Sequence, residues 1–447
     1  MSSHISSTLA RLLPDSATLS DDDELLLAGH HLASLAQKYG TPLYIFDRAT
    51  IVNACAHYRE AFRAYYHASP VRIIYASKAY LSPLIARVMH EQEMGLDVVS
   101  GGELAVAQRA NFPMSQVSFH GNNKSEEELR MALRLGVGRI ILDNESELDR
   151  LTRLAQAAGQ RPSVLIRVAP DIETDTHRYL QTGHAAAKFG FSLKNGEAKA
   201  AALRLLRENC LHLVGLHAHT GTMLRETRPY EECLERLFML ADEIYQATQW
   251  WPEEISPGGG WVIDTIDAGV APGIDILVRA LQRKMEHLLY SYQRSAPTLV
   301  IEPGRSIIAR AGVTLYRVGA RKVTSGGVIY VFVDGGMEDN IRPALYGAQY
   351  TAMPVQHVSA PAIETVCVSG RYCESGDMLI ESVALPHMRE GDFLLLPTTG
   401  AYCLPMASNY NLVPRPAVLL LDESKMHIME QRETYEDIIA RYPMTQF

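Results

Sequence analysis

From residue 71 to residue 302 the chain alternates short apolar runs with longer stretches in which apolar residues recur every three or four positions. The runs are 71–78 (VRIIYASK), 96–100 (LDVVS), 117–121 (VSFHG), 139–143 (RIILD), 163–169 (SVLIRVA), 213–219 (LVGLHAH), 254–259 (EISPGG) and 298–302 (TLVIE). Their length and β-branched content read as buried strands, and the stretches between them read as amphipathic helices. The segment SEEELRMALRLGVG (125–138) is the clearest helix, with Ser125 as N-cap, acidic residues in the first turn and a stop near Gly136. Eight strands, each followed by a helix, predict an α/β fold of the (β/α)8 barrel type. An open doubly wound sheet ordinarily has fewer strands, and no GxGxxG follows the first run.

After about residue 309 the rhythm changes. GVTLYRVGARKV, GVIYVFVDGG, TVCVSG, DFLLLPTT and PAVLLLDE follow one another with Gly and Pro punctuation, and a short helical pattern lies near 433–441. This predicts a mostly β C-terminal domain, sandwich-like or barrel-like, over 309–447. The barrel then spans 48–308. Residues 1–47 end in the strand-like LYIFD (43–47) and are placed with the β domain, while the first 25 or so residues read as an unstructured terminus.

The composition is that of a globular protein of two or three domains: 447 residues, 47% of them hydrophobic. Against 42 Lys and Arg stand 51 Asp and Glu, and no basic tract is present, so nucleic acid is not an expected partner. No apolar run approaches the roughly 20 residues of a membrane span, and the start lacks a basic segment followed by an apolar one, so the expected address is the cytoplasm. The six cysteines have no metal-ligand spacing and fit free thiols in a reducing compartment. His217 and His219, one residue apart, have no third ligand nearby in sequence, and no metal site is expected.

Catalytic groups of such barrels gather at the carboxyl ends of the strands, and four unusual groups fall there: Lys78, His219, Gly258-Gly259-Gly260 and Glu302. Lys78 closes an apolar strand, where partial desolvation would favour the free amine that attacks an aldehyde. The glycine run follows the seventh strand, a place where backbone N–H groups close around anions. Glu302 offers a carboxylate to hold a ring nitrogen protonated, His219 an imidazole to stack on a planar ring, and Thr222 a hydroxyl for a phosphate oxygen. Each alone has a plain reading: a solvated lysine, a flexible turn, a surface ion pair, a core histidine. Together they meet the needs of pyridoxal 5'-phosphate (PLP).

The chain also resembles the fold-type III PLP decarboxylases, and within them the diaminopimelate decarboxylases, nearly end to end. The resemblance rests on YASKAY (75–80), GLDVVSGGEL (95–104), FHGNNKSEEEL (119–129), TGHAAAKFG (182–190), GLHAHTGT (215–222), GGG (258–260), EPGRS (302–306), RPALYGA (342–348), CESGD (373–377) and GAY (400–402). It implies that Lys78 carries the cofactor as a Schiff base, that His219 stacks on the ring and that Glu302 faces the ring nitrogen. It implies that Thr222, Gly258 to Gly260 and the backbone of Gly304 and Arg305 hold the phosphate. On the substrate side it implies that Arg305 and Arg342 grip a distal carboxylate with help from Tyr346, that Glu374 holds a distal ammonium, that Tyr402 lines cofactor and substrate, and that Cys373 is the acid that reprotonates the α-carbon. In relatives the Cys-Glu pair reaches the neighbouring subunit's site, so a homodimer is implied. The implied reaction converts meso-2,6-diaminopimelate to L-lysine and carbon dioxide. One departure stands out: this chain reads His219-Thr220-Gly221-Thr222 where the family usually reads His-Ile-Gly-Ser. A decarboxylase of another amino-acid end (ornithine, arginine, a siderophore or antibiotic intermediate) is the alternative. A racemase on the same barrel would favour arginine over Glu302 at the ring nitrogen, and a non-catalytic carrier would not need Cys373, Glu374 or the β domain.

Overall fold

A computed structural model describes residues 6–172, 188–423 and 425–443. All eight expected barrel strands are present: Val71–Ala76, Gly95–Val98, Val117–Phe119, Arg139–Leu142, Ser163–Ala169, His212–His217, Glu254–Gly258 and Thr298–Ile301. Each is parallel to the next in sequence. The eighth returns to the first in the register Leu299↔Val71 and Ile301↔Ile73, so the sheet closes into a barrel. The strands read as continuous apolar runs because a closed parallel sheet is covered on both faces.

The helix Glu126–Leu135 illustrates how local chemistry sets the boundaries. The Ser125 side chain accepts from the Glu128 N–H, Glu128 returns the bond to the cap, and Gly136 ends the helix at φ 67°. At the amino ends of the strands, Glu254 gathers Arg72 (2.8 Å) and Arg139 (2.6 Å), so three strands are tied by one nearly buried carboxylate. The barrel unit comprises Cys55–Ile263 and Ala271–Ser306.

The other unit holds the described residues of Met1–Ala54, Asp264–Val270 and Ile307–Phe447. In it Leu43–Asp47 lies between Gly312–Val323, antiparallel, and Ala417–Asp422, parallel. The long strand Gly312–Val323 also pairs with Phe393–Leu396 and, further along, with Ile329–Val333. Two cores result: Leu43, Ile45, Val313, Leu315 and Leu395 face one, and Tyr316, Val318, Leu394 and Leu396 face the other. The unbroken FLLL of residues 393–396 follows, since side chains alternate along a strand and each face has its own core.

Three differences from the sequence-based expectation appear. The first strand ends at Ala76, two residues before Lys78. Met378–Leu385 and Lys425–Glu430 are strands that turn signals alone did not mark. The described residues 6–25 hold regular structure where an unstructured terminus was expected, with a helix Ser7–Leu12 and an antiparallel pair Ala17–Leu19/Leu25–Leu27. Leu13, Leu25 and Leu27 are buried in the first of the two cores, and that burial offsets the ordering entropy.

Candidate active site

Lys78 sits on a single 3-10 turn, Ser77–Ala79, just beyond the first strand. Ser77 and Ala79 are buried while the lysine side chain between them is exposed. The expected desolvation of this amine is therefore not found, and its neighbourhood is electrostatic instead: Asp97, Glu103 and His219 all feel its charge. Gly304 closes in from the eighth strand, where a Cβ would come within 3.0 Å of the Ala76 Cβ.

Glu302, 7% exposed, follows the eighth strand and is the centre of a buried network. Its Oε2 lies 3.0 Å from His217 Nε2, and its Oε1 accepts from Ser256 Oγ at 3.1 Å. Burial pushes the Glu302 carboxyl up, but His217, beside it and hydrogen-bonded to it, outweighs burial and holds the group below the usual carboxylate range. An ionised carboxylate only accepts, so the His217 Nε2–H must be the donor. Asp97 behaves oppositely: burial first, then the Glu302 charge, pushes it up to about 8. Burial also holds His120 and His219 well below the ordinary imidazole value, so both are neutral at pH 7. His120 Nε2 lies 3.7 Å from Asp97 and 3.8 Å from Glu302, and its ring meets that of His217 edge-on at 4.8 Å. The site thus keeps one carboxylate charged and one carboxyl protonated side by side.

In sequence, the His-x-His pair of His217 and His219 has no third ligand beside it. The fold supplies what spacing did not show: His120, His217 and Glu302 present ligand atoms within 4.8 Å of one another. In this arrangement His217 is engaged with Glu302.

The glycine run is demanded by backbone crowding. A Cβ would lie 2.6 Å from His219 Nδ1 at Gly258, 1.8 Å from the Glu302 carbonyl at Gly259 and 2.1 Å from the Gly221 carbonyl at Gly260. Gly258 N–H donates to Ser256 Oγ (3.1 Å) and Gly259 N–H to His219 Nδ1 (3.3 Å), so two of the amides expected at a phosphate are engaged internally. The Tyr230 hydroxyl donates to the Gly259 carbonyl at 3.0 Å. Thr222 is half-buried beside Gly260, and the preceding Thr220 has a buried hydroxyl without a hydrogen-bond partner. Arg305 opens the short helix Arg305–Ile308, and Ser306 Oγ is 2.7 Å from the Tyr58 hydroxyl.

The remaining expected residues lie in the other unit. Arg342 opens the helix Arg342–Tyr346, and its guanidinium stands 5.7 Å from the Tyr346 ring and 5.9 Å from the Tyr402 ring. Its Nε donates to the Tyr350 hydroxyl at 3.0 Å. Cys373 and Glu374 are exposed on the loop after the strand Glu364–Ser369, where Glu374 accepts from the Gly376 N–H. Residues 182–187 of the TGHAAAKFG stretch lie outside the described residues.

Sequence reasoning passed over Asp97, His120, Arg167, Tyr230, Ser256 and Tyr350. A signal existed for two: Asp97 and Arg167 interrupt apolar strands, and a charge inside a buried strand breaks the local pattern for a reason. Arg167 pairs loosely with Asp143 at 3.8 Å and stacks on Phe189 at 4.4 Å.

An exposed lysine amine suits an aldehyde, and a buried carboxylate among neutral imidazoles suits a protonated ring nitrogen. Residues 48–309 match the family description "Pyridoxal-dependent decarboxylase, pyridoxal binding domain". The chain belongs to this family. It is thus a PLP-dependent decarboxylase, and similarity to other members extends over nearly all of it. The diaminopimelate decarboxylase of Bacillus subtilis is 40% identical over 93% of this chain and 94% of its own. That of Mycobacterium tuberculosis is 37% identical over 96% of each. Among solved structures, the diaminopimelate decarboxylase of M. jannaschii in complex with L-lysine superposes with a TM-score of 0.89 at 31% identity, covering 96% of this chain and 98% of that one. A lysine/ornithine decarboxylase from Vibrio vulnificus shares the fold, with a TM-score of 0.74 at 20% identity.

Proposed function

We propose that this PLP-dependent decarboxylase converts meso-2,6-diaminopimelate to L-lysine and carbon dioxide, the last step of lysine biosynthesis. The observation that carries the reading is 40% identity to a diaminopimelate decarboxylase over 93% of the chain. The chemistry of the residues agrees with it. When bound, PLP supplies an aldehyde for amines and a ring that accepts the electrons released with carbon dioxide.

Lys78 presents its amine to that aldehyde. Glu302, held ionised by His217 and Ser256, favours a protonated ring nitrogen, and His219, neutral and seated beside the Gly258–Gly260 loop, faces the ring. Thr222, the glycine loop, Gly304 and Arg305 serve the phosphate end. Arg342 has its Nε occupied by Tyr350. That leaves the two terminal nitrogens of its fork to meet a carboxylate, with Arg305 and Tyr346 as further donors. Glu374 takes the distal ammonium, Tyr402 lines the site, and the Cys373 thiol delivers the proton to the α-carbon.

A substrate with a carboxylate at the far end explains why an arginine is aligned among tyrosines better than ornithine would. The catalytic unit in this reading is a homodimer, and its compartment is the cytoplasm, in keeping with six free thiols. No described helix is long and apolar enough to cross a membrane. The test is to supply the purified holoenzyme with meso-diaminopimelate, ornithine, arginine and alanine and to measure carbon dioxide and product chirality. Carbon dioxide and L-lysine from meso-diaminopimelate are expected; gas from ornithine or arginine alone overturns the substrate.

A further inference from the structure

The loop that carries Cys373 and Glu374 is fastened to the segment that leads into Arg342. Asp377, buried at the end of the loop, accepts from the Met337 N–H (2.7 Å) and from the Tyr372 N–H (2.9 Å). It is clasped by two glycines, since a Cβ on Gly336 or on Gly370 would lie 2.3 Å from its carboxylate oxygens. A second fastening is made by side chains. The Tyr372 hydroxyl, one residue before Cys373, donates to Glu338 Oε2 at 3.0 Å, and the Tyr372 ring leans on Tyr410 at 5.9 Å.

Glu338 is a costly residue in that place. It is 1% exposed, its other oxygen has no hydrogen-bond partner, and it adjoins Asp339, a second buried carboxyl. Burial and then Asp339 push it up to about 8, with Arg415 pulling the other way and Glu433 adding to the rise. A buried group left half-satisfied beside a like group calls for an explanation other than stability. Glu338 is four residues before Arg342, and the Asn340 side chain accepts from the Arg342 N–H at 3.4 Å. The segment therefore ties Arg342 to the loop bearing the acid, which in the shared-dimer reading serves the partner subunit's site.

We propose that the Tyr372–Glu338 hydrogen bond is a latch that holds the Cys373–Glu374 loop in register with Arg342, which makes Glu338 and Tyr372 positioning residues for proton delivery. The inference deepens the function proposed above and rests on it for the role of Cys373. A loop released from its latch opens more often, and Cys373 spends less time where its proton is needed.

The test uses the holoenzyme and two readouts. The first, independent of substrate, is trypsin cleavage after the exposed Arg371, which samples local opening of the loop. The second is kcat with meso-diaminopimelate. Tyr372→Phe deletes one hydroxyl in a side chain of the same shape, and cleavage should rise about fivefold, the weight of one buried hydrogen bond. Turnover should fall because the loosened loop places Cys373 less exactly over the α-carbon, while the visible absorbance of the Lys78-bound cofactor stays unchanged. Glu338→Leu should reproduce both effects, and the double variant should be no worse than either single one. Glu338→Gln, which still accepts the Tyr372 hydroxyl, should rescue both readouts.

Unchanged cleavage in Tyr372→Phe, raised cleavage with unchanged turnover, or additive losses in the double variant would each overturn the latch. If the unaltered enzyme releases no carbon dioxide from meso-diaminopimelate, the proposed function fails, and the cleavage ratio still decides whether the loop is latched.

Discussion

Replacing Gly259 by alanine adds one methyl group at the most crowded point of the site. The new Cβ would stand 1.8 Å from the carbonyl oxygen of Glu302 and 2.7 Å from its carbonyl carbon, both backbone atoms. Close carbon–oxygen contacts in proteins settle near 3.3 Å, so the ends of the seventh and eighth strands must separate by roughly 1.5 Å. The Glu302 N–H bond to the Gly258 carbonyl, already 3.2 Å long, would not survive that movement. Nor would the contacts of the Glu302 carboxylate with His217 at 3.0 Å and Ser256 at 3.1 Å. Hydrogen bonds to a charged group are worth about 1.5–3 kcal/mol each, and a 1 Å misplacement at a reacting centre costs on the order of 100-fold in rate. We expect kcat/KM for carbon dioxide release to fall at least about 100-fold. Titration of the apo-protein followed by absorbance should show weakened PLP binding. The control is Gly136→Ala, at an exposed helix end with φ 67° and nothing within 4 Å of the new Cβ. It should cost about 1 kcal/mol of stability and leave the rate alone. A Gly259→Ala enzyme within twofold of the unaltered one in both rate and PLP affinity would refute the crowding argument.

Other outcomes follow from the same geometry. Lys78→Ala should abolish the visible absorbance of the bound cofactor; retention of that band would move the attachment elsewhere. Cys373→Ala should slow turnover with PLP still bound, and mixing it with Lys78→Ala should restore roughly a quarter of full activity if sites are shared across a two-fold dimer, whereas no restoration would argue against sharing. Lys124 and Glu147, each 1% exposed and 2.5 Å apart, are a buried ion pair. Lys124→Met should cost about 3–5 kcal/mol by stranding the carboxylate, and adding Glu147→Leu should recover most of it, as read by urea unfolding. Asp97 holds its proton more tightly folded than unfolded, so its contribution is full below the ordinary carboxylate range and is lost as pH rises through about 8. Stability of the apo-protein should decline across that window, and Asp97→Asn should flatten the decline; an unchanged profile would show that the group is ionised throughout.

Much of the barrel was legible in the chain because its strands are covered on both faces and so appear as unbroken apolar runs, which periodicity detects. Cap chemistry such as Ser125, Glu128 and Gly136 is local and was equally plain. The placement of Lys78, His219, the glycine run and Glu302 after successive strands followed from the strand count alone. The edge strand Lys425–Glu430 is mostly exposed and carries no such pattern, and the described residues between 6 and 30 gain their order only from a core assembled with strands far along the chain.

Residue order alone thus settled the eight-stranded count, the capped helices and the strand ends at or just after which Lys78, His219, the glycine run and Glu302 fall, because each depends on neighbours in the chain. Tertiary structure decided which groups share a proton or a hydrogen bond. Asp97 and His217 lie in two strands and His120 and Glu302 one residue past two others, and Arg342, Tyr350 and Tyr402 meet only after folding. The charge states of Asp97, His120 and Glu302 arise from burial and through-space contact, which fall off with distance in space and are blind to separation along the chain.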